Sequence, residues 1–333
     1  MKKITKLFKN TTAKILGYID DNKESWINDY LAKSDTFANL NCPNIYVVSN
    51  GTVGANGEVR DYNKTMQILK QLGVKQVSLL ASIAALENGK FKLGTNVSYT
   101  DVVDVIHAAG ITIKSVRFSN SVYGKDKMCS SEALSQLAAS VPELVSELGI
   151  ESEIDFVGIL NETSQCYFDS SLTNYVVSCI NSIQESGYKV AITDNARYCM
   201  QIPKDILSSL DYIGFNEYPI AYVHDITTAT IDKIYDGISS YQTELYARIM
   251  QSKGLKVFIS EFGCSNRSKS LIMPSNGGDG DYVGMTYIVK YIAAWKRYII
   301  NSGMAEFIES VNPWYTDIWE NNEELSMLLG GVK

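Results

Sequence analysis

Val257-Phe258-Ile259-Ser260-Glu261-Phe262-Gly263-Cys264 begins as a buried strand and ends as something else. Val257, Phe258 and Ile259 suit a pleated, buried surface. Ser260 and Glu261 then place polar groups at the strand's end, and Gly263 lets the backbone turn with no side chain in the way. A carboxylate at the last position of a hydrophobic strand has left the core and reached a mouth. About a hundred residues earlier the design recurs: Phe156, Val157, Gly158, Ile159 and Leu160 lead into Asn161 and Glu162. Two buried strands that each close on a glutamate are the pattern expected of paired-carboxylate chemistry.

Outward from these two stretches the chain alternates strand and helix. Candidate strands are residues 45–49, 76–84, 111–119, 154–160, 189–193, 212–216, 256–260 and 306–311. Between them lie candidate helices at 62–72, 100–109, 131–148, 171–186, 203–210, 230–252 and 281–300. Gly73, Gly110, Gly149, Gly187 and Gly254 stand where helices should stop. Thr100 and Ser130 or Ser131 open helices as caps, Pro203 fits a first turn, and Pro142 should kink or divide the helix that contains it. Most strands read as near-continuous apolar runs, as expected of parallel strands covered on both faces. Eight such repeats predict an α/β chain forming a (β/α)8 TIM barrel over residues 44–333, a fold whose usual size is about 250 residues. Residues 1–43 read as an N-terminal helical extension that either caps a barrel end or tethers the protein. An open doubly wound sheet is the structural competitor. Gly51, Gly54 and Gly57 have the wrong spacing for its phosphate fingerprint and do not open a helix.

Composition narrows the function classes. Of 333 residues, 45% are hydrophobic and 11% aromatic, enough for a large core, and the net charge of −7 argues against a nucleic-acid partner. The 21 tyrosines and four tryptophans suit a carbohydrate partner, whose C–H faces stack on rings while hydroxyls meet polar edges. Six cysteines without a CxxC pair, and two histidines, His107 and His224, make a zinc site improbable; no metal and no cofactor is expected. The irregular cysteine spacing and large core favour free buried thiols over disulfides. No run of about 18 apolar residues exists to span a membrane. Lys9-Asn10-Thr11-Thr12 interrupts the basic start, so no ordinary secretory signal is read, and either a cytoplasmic protein or one carried in a larger particle is expected.

The constellation of strand ends resembles clan A of the retaining glycoside hydrolases. The resemblance rests on Asn161-Glu162 ending the fourth strand and Glu261 ending the seventh. Asp211-Tyr212-Ile213-Gly214-Phe215-Asn216-Glu217-Tyr218-Pro219 further resembles that clan's sixth strand. It spans about residues 44–319 and selects no family within the clan, since members acting on mannan, galactan and cellulose-like chains share this outline. It implies that Glu162 is the general acid and then the general base, and that Glu261 is the nucleophile. Asn161 would bind the sugar's 2-hydroxyl, Tyr218 would orient Glu261, Trp314 would stack on a sugar, and Arg117 would play the clan's barrel-floor arginine. That clan's usual arginine lies on an earlier strand. Asn216, Asp194 and Asn195 are further candidates for the mouth and its sugar contacts. The chemistry requires the acid to hold a proton near neutrality while the nucleophile stays ionised. Two carboxyls about 5–5.5 Å apart imply retention, and about 6.5–9.5 Å inversion.

Four rivals stand beside this reading. Glu217 also follows an asparagine, and only the strand count ranks it below Glu162. A carbohydrate-binding barrel without turnover fits the same residues. A chitinase-like barrel lacks its DxxDxDxE strand here, since the fourth strand offers only Asp155 and Glu162, and an aldolase lacks a strand-end lysine. Residues 266–282, with Gly277, Gly278 and Gly280, should overhang the mouth as a lid or wall. Cys264 reads as a packing residue.

Overall fold

The computed structural model describes residues 39–47, 61–71, 74–85, 89–94, 98–119, 126–218, 230–263 and 286–313. The strands are β1 (Asn44–Tyr46), β2 (Gln76–Ala85), β3 (Phe91–Leu93), β4 (Thr112–Ser119), β5 (Phe156–Asn161), β6 (Val190–Asp194), β7 (Tyr212–Glu217), β8 (Lys256–Phe262) and β9 (Val311–Pro313). The helices are α1 (Tyr62–Gln71), α2 (Tyr99–Ala108), α3 (Ser131–Leu148), α4 (Ser164–Phe168) and α5 (Thr173–Glu185). They continue with α6 (Ala196–Cys199), α7 (Lys204–Ser209), α8 (Ile231–Ser240), α9 (Thr243–Ser252) and α10 (Thr286–Asn301). Eight strands pair in parallel in the order β1-β2-β4-β5-β6-β7-β8-β9, while the short β3 runs antiparallel to the end of β2. β5 and β8 are therefore the fourth and seventh strands of the ring.

Closure between the last strand and the first uses few bonds. Asn41 bridges Val311 in parallel, and the Cys42 amide donates to the Val311 carbonyl at 2.9 Å. Asn44 then reaches across the seam, its Nδ2 donating to the carbonyls of Ser260 at 2.9 Å and Asn312 at 3.0 Å. The result is a nearly closed (β/α)8 barrel.

Alternation along the strands sorts two cores. Ile45, Val77, Leu79, Val116, Val157, Ile159, Val190, Ile192, Ile213, Phe215, Val257 and Ile259 join the helices in one large apolar cluster. Phe156, Ala191, Tyr212 and Phe258 form a separate one, with ring centroids 4.4 Å apart for Phe156–Tyr212 and 4.8 Å for Phe156–Phe258. The period of two along a strand makes these the two faces of the sheet: branched side chains outward under helices, aromatic and small residues inward. The strands are thus less uniformly apolar than their runs suggest. Polar side chains share the inner face, where Ser115 Oγ donates to Ser78 Oγ at 2.9 Å.

Several local expectations are corrected. The last strand is Val311–Pro313 rather than 306–311: Met304–Glu306 turns as a 3-10 helix, and bonding to β8 begins only where the Glu309 amide donates to the Val257 carbonyl at 2.8 Å. The region 230–252 is two helices, separated at Gln242, whose φ of 57° ends the first run. Ser98, not Thr100, caps α2 by accepting from the Asp101 amide. Pro142 neither divides nor ends α3. It removes one helical N–H, that for the Ala138 carbonyl. Cys129 and Cys166 form a disulfide rather than remaining thiols, while Cys42, Cys179 and Cys199 are free and buried. Spacing 37 residues apart hid the pair; only the fold brings them together. No described helix is long and apolar enough to cross a membrane.

Two inward glycines make room for what faces them. A Cβ on Gly158 would lie 2.6 Å from Arg117 Cγ, and one on Gly214 would lie 2.5 Å from Phe258 Cζ and 2.7 Å from Thr193 Cγ2. Gly214→Ala is expected to overpack the barrel interior and lower stability by about 1–3 kcal/mol in denaturant titration. Gly158→Ala should displace Arg117. An unchanged unfolding midpoint in Gly214→Ala would contradict this packing.

Candidate active site

The strand ends that carry the glutamates are irregular. Pairing register shifts between Ile159 and Asn161 on β5, between Gly214 and Asn216 on β7, and between Ile259 and Phe262 on β8. Such irregularities re-aim side chains where a strand leaves its ladder. Leu160 and Glu162 both hold left-handed backbone, with φ of 53° and 49°, which non-glycine residues adopt at a cost. The Glu162 amide is fixed by donating to the Thr193 carbonyl at 2.8 Å.

From these ends the predicted side chains converge. Glu261, buried, accepts from Arg117 Nη1 at 3.0 Å on Oε1 and from the Tyr218 hydroxyl at 2.7 Å on Oε2. Arg117 is itself 2% exposed and sends its other arm to Asn44 Oδ1 at 2.6 Å. Asn216 Nδ2 donates to Glu162 Oε1 at 3.0 Å and to Asn161 Oδ1 at 3.2 Å. Asn216 is oriented in turn by Ser260, whose hydroxyl donates to its Oδ1 at 2.6 Å, and Asn161 by Thr193 at 2.6 Å. Asn195 stands one position further out: its side chain caps α6 and contacts the Asn216 carbonyl at 3.5 Å. Asp194 accepts from the buried Tyr167 hydroxyl and from the Asn195 amide. Trp314, Cys264 and residues 266–282 lie outside the described residues.

Burial pushes the Glu261 carboxyl above its ordinary value. The Arg117 cation pulls it down, the neighbouring Glu162 charge pushes it up, and the bonds from Tyr218 and Arg117 pull it down again; the net direction is upward. Asn216 links the two glutamates, since it donates to Glu162 and accepts from Ser260, the residue before Glu261. Among the described residues, no group of three His, Cys, Asp or Glu side chains is placed to hold a metal ion.

Glu217 takes the opposite face of β7 from Asn216. Its Oε1 accepts from the Ala196 amide at 3.1 Å, where α6 begins, and Oε2 has no hydrogen-bond partner among the described residues. It sits with Cys199 and Tyr298, among the outer helices, and its charge would bear on both. The one-residue step along a strand thus separates it from the mouth. Burial lifts its carboxyl from an ordinary 4.5 to about 8, against the Ala196 amide and the Arg197 charge, which lower it.

Of the expected residues, Glu162, Glu261, Arg117, Asn161, Asn216 and Tyr218 share one hydrogen-bonded cluster, and Asn44, Thr193, Ser260 and Tyr167, which were not expected there, adjoin it. Ser260 carries a readable signal, since it is a polar residue within an otherwise apolar strand, whereas Asn44 precedes the expected first strand and gives none. Tyr167 has none.

No family model matches the chain, and no curated protein sequence matches it. Solved structures share its fold. The complex structure of a GH113 β-1,4-mannanase superposes with a TM-score of 0.57 at 8% identity, over 87% of this chain and 93% of that one. The clostridial cellulose synthase subunit Z from Clostridioides difficile gives 0.54 at 14%, over 87% and 99%. The GH113 β-mannanase from Alicyclobacillus acidocaldarius gives 0.51 at 13%, over 84% and 88%. At such identities the likeness is one of architecture, and it agrees with the barrel described above.

The Glu217 carboxyl supplies a test of this geometry by pH. Because its folded-state pKa is raised, the native state binds the extra proton between pH 4.5 and about 8. Its stabilising share is complete below that window and is exhausted as pH rises through about 8. Glu217→Gln should therefore flatten the fall of melting temperature between pH 5 and 8. Parallel wild-type and variant curves over that range would place Glu217 in solvent instead.

Proposed function

We propose that the chain is a retaining glycoside hydrolase that cleaves β-glycosidic bonds in a polysaccharide or oligosaccharide by double displacement. The observation that carries this reading is the buried Glu261 carboxylate, gripped by Arg117 at 3.0 Å and Tyr218 at 2.7 Å, and joined to Glu162 through Ser260 and Asn216. A carboxylate aimed and desolvated in this way is built to attack, and an acid across from it is built to protonate a departing oxygen.

In the first step Glu261 attacks the anomeric carbon and Glu162 gives its proton to the glycosidic oxygen, which leaves as an alcohol. A glycosyl ester on Glu261 and an ionised Glu162 result. In the second step Glu162 takes a proton from water, the water oxygen attacks the anomeric carbon, and Glu261 leaves as carboxylate. Net configuration is retained because two inversions occur. Ester formation removes the charge on Glu261, which makes it easier for Glu162 to lose its own proton on schedule. Arg117 and Tyr218 oppose the burial that would otherwise keep Glu261 protonated and inert. Asn216 fixes the Glu162 carboxyl, Asn161 and Asn195 offer amides to sugar hydroxyls, and Trp314 is assigned a stacking role from its place after the last strand.

The β-1,4-mannanases among the structural neighbours make β-1,4-mannan the first polysaccharide to try, with cellulosic and galactan chains beside it. A disulfide at Cys129–Cys166 favours an oxidising compartment, or a particle exposed to one, over a reducing cytoplasm. In the test, Glu261→Ala should lose about 10³-fold or more of wild-type turnover on aryl β-glycosides. Azide should then restore product as the inverted glycosyl azide, whereas Glu162→Ala with azide should give the retained one. A wild-type protein that binds these sugars and cuts none of them would favour a non-catalytic carbohydrate-binding barrel.

A further inference from the structure

Phe168 and Tyr198 are large side chains left open to solvent, at 43% and 47% exposure. Their rings meet edge to face, with centroids 6.0 Å apart and an interplanar angle of 78°. Phe168 ends α4, six residues after Glu162, and Tyr198 lies on α6, three residues after Asn195. Both short helices follow directly from a strand's C-terminal end, at adjacent positions of the ring, so both rings stand on the mouth face of the barrel.

Their exposure is built in. Cys166 is buried and bonded to Cys129, and Tyr167 is buried and donates to Asp194. With those two side chains pinned inward, the turn of about 100° per helical residue carries Phe168 outward. Tyr198 is held likewise between buried Ala196 and Cys199, whose Sγ contacts the Asp194 carbonyl at 3.5 Å and the Gly214 carbonyl at 3.7 Å. A further edge contact from Tyr167, at 4.9 Å, steadies Phe168. Such anchoring holds an aromatic surface ready for a ligand without the ordering cost a loose side chain would add.

We propose that Phe168 and Tyr198 form a sugar-binding ledge that holds the leaving-group side of a β-linked saccharide; the side assignment rests on the catalytic reading above. The C–H face of a pyranose carries slight positive charge and meets the negative face of an aromatic ring, as cations do more strongly. Two rings are far smaller than the roughly 800 Å² that one partner of a stable protein complex buries, which favours a small ring-shaped ligand over a protein. Direction follows from the displacement. The departing oxygen leaves the anomeric carbon on the side away from Glu261 and toward Glu162. The sugar attached to it therefore passes the ends of the strands that carry Glu162 and Asn195, where the ledge stands.

The test uses the full chain with Phe168→Ala, Tyr198→Ala and both together, and Tyr175→Ala as a control on an exposed aromatic of α5. In a Glu261→Gln background, calorimetry with β-1,4-mannotetraose and cellotetraose should show affinity for whichever tetrasaccharide binds falling about tenfold per ring. The control should keep its affinity. In the wild-type background, the loss in kcat/KM should be about tenfold larger on the tetrasaccharide than on an aryl glycoside of the same sugar, and should fall mainly on KM. Ledge variants that bind and cleave the tetrasaccharide like the control overturn the ledge, whatever Glu261 does. Equal losses on both substrates overturn its placement on the leaving-group side. If the protein cleaves nothing but loses tetrasaccharide affinity with the rings, the ledge stands and the catalytic reading falls.

Discussion

A buried ion pair between Arg117 and Glu261 organises much of what this barrel does. Pairs of this kind seldom add net stability, because desolvating two charges costs about as much as their attraction returns. Their effect is on position. One arm of the guanidinium holds Glu261, and the other holds Asn44, whose amide spans the seam to the carbonyls of Ser260 and Asn312. The contact that aims the candidate nucleophile is thus continuous with the contacts that close the ring. Gly158 is part of the same device, since any side chain there would occupy the space of the Arg117 stem.

The pair also sets the chemistry. Burial favours the protonated form of Glu261, and Glu162 nearby favours it further. Arg117 and Tyr218 resist. The balance leaves a carboxyl raised above its ordinary value, one that loses its charge at a higher pH than a surface glutamate would as the solution is acidified. A carboxylate that is costly to keep ionised is also one that gains by becoming a neutral ester, which is the direction the proposed first step takes. Asn216, linking Glu162 to Ser260 on the strand of Glu261, ties the two acids into one polar network across the mouth.

Much of this was readable in the chain because the barrel repeats one rule. Buried runs ended by polar residues mark mouth positions, and Asn161, Glu162, Asn216 and Glu261 all obey it. Glycines at 110, 149, 187 and 254 ended helices in left-handed backbone, as their positions indicated. What the chain concealed depends on contacts distant in sequence. Asn44 looks like an ordinary polar residue at a strand start until the ring closes on it. The Cys129–Cys166 bridge has no spacing signature. Glu217 and Glu162 share an Asn-Glu dipeptide, and parity along β7, which the sequence pattern alone left open, turns one outward. The strand expected at 306–311 begins later because the chain leaves its helix through a 3-10 turn at Met304–Glu306 and bonds to β8 only from Glu309 onward.

The central claim is that Glu261 makes and breaks a bond to sugar. It is tested most directly by incubating the protein with an activated 2-deoxy-2-fluoro β-glycoside of the sugar it turns over and mapping the adduct by peptide mass spectrometry. The account predicts one fluorosugar per chain, carried on Glu261, with loss of activity in step with labelling. An adduct on Glu162, Glu217 or any other residue, or an inverted product with no adduct at all, would contradict it.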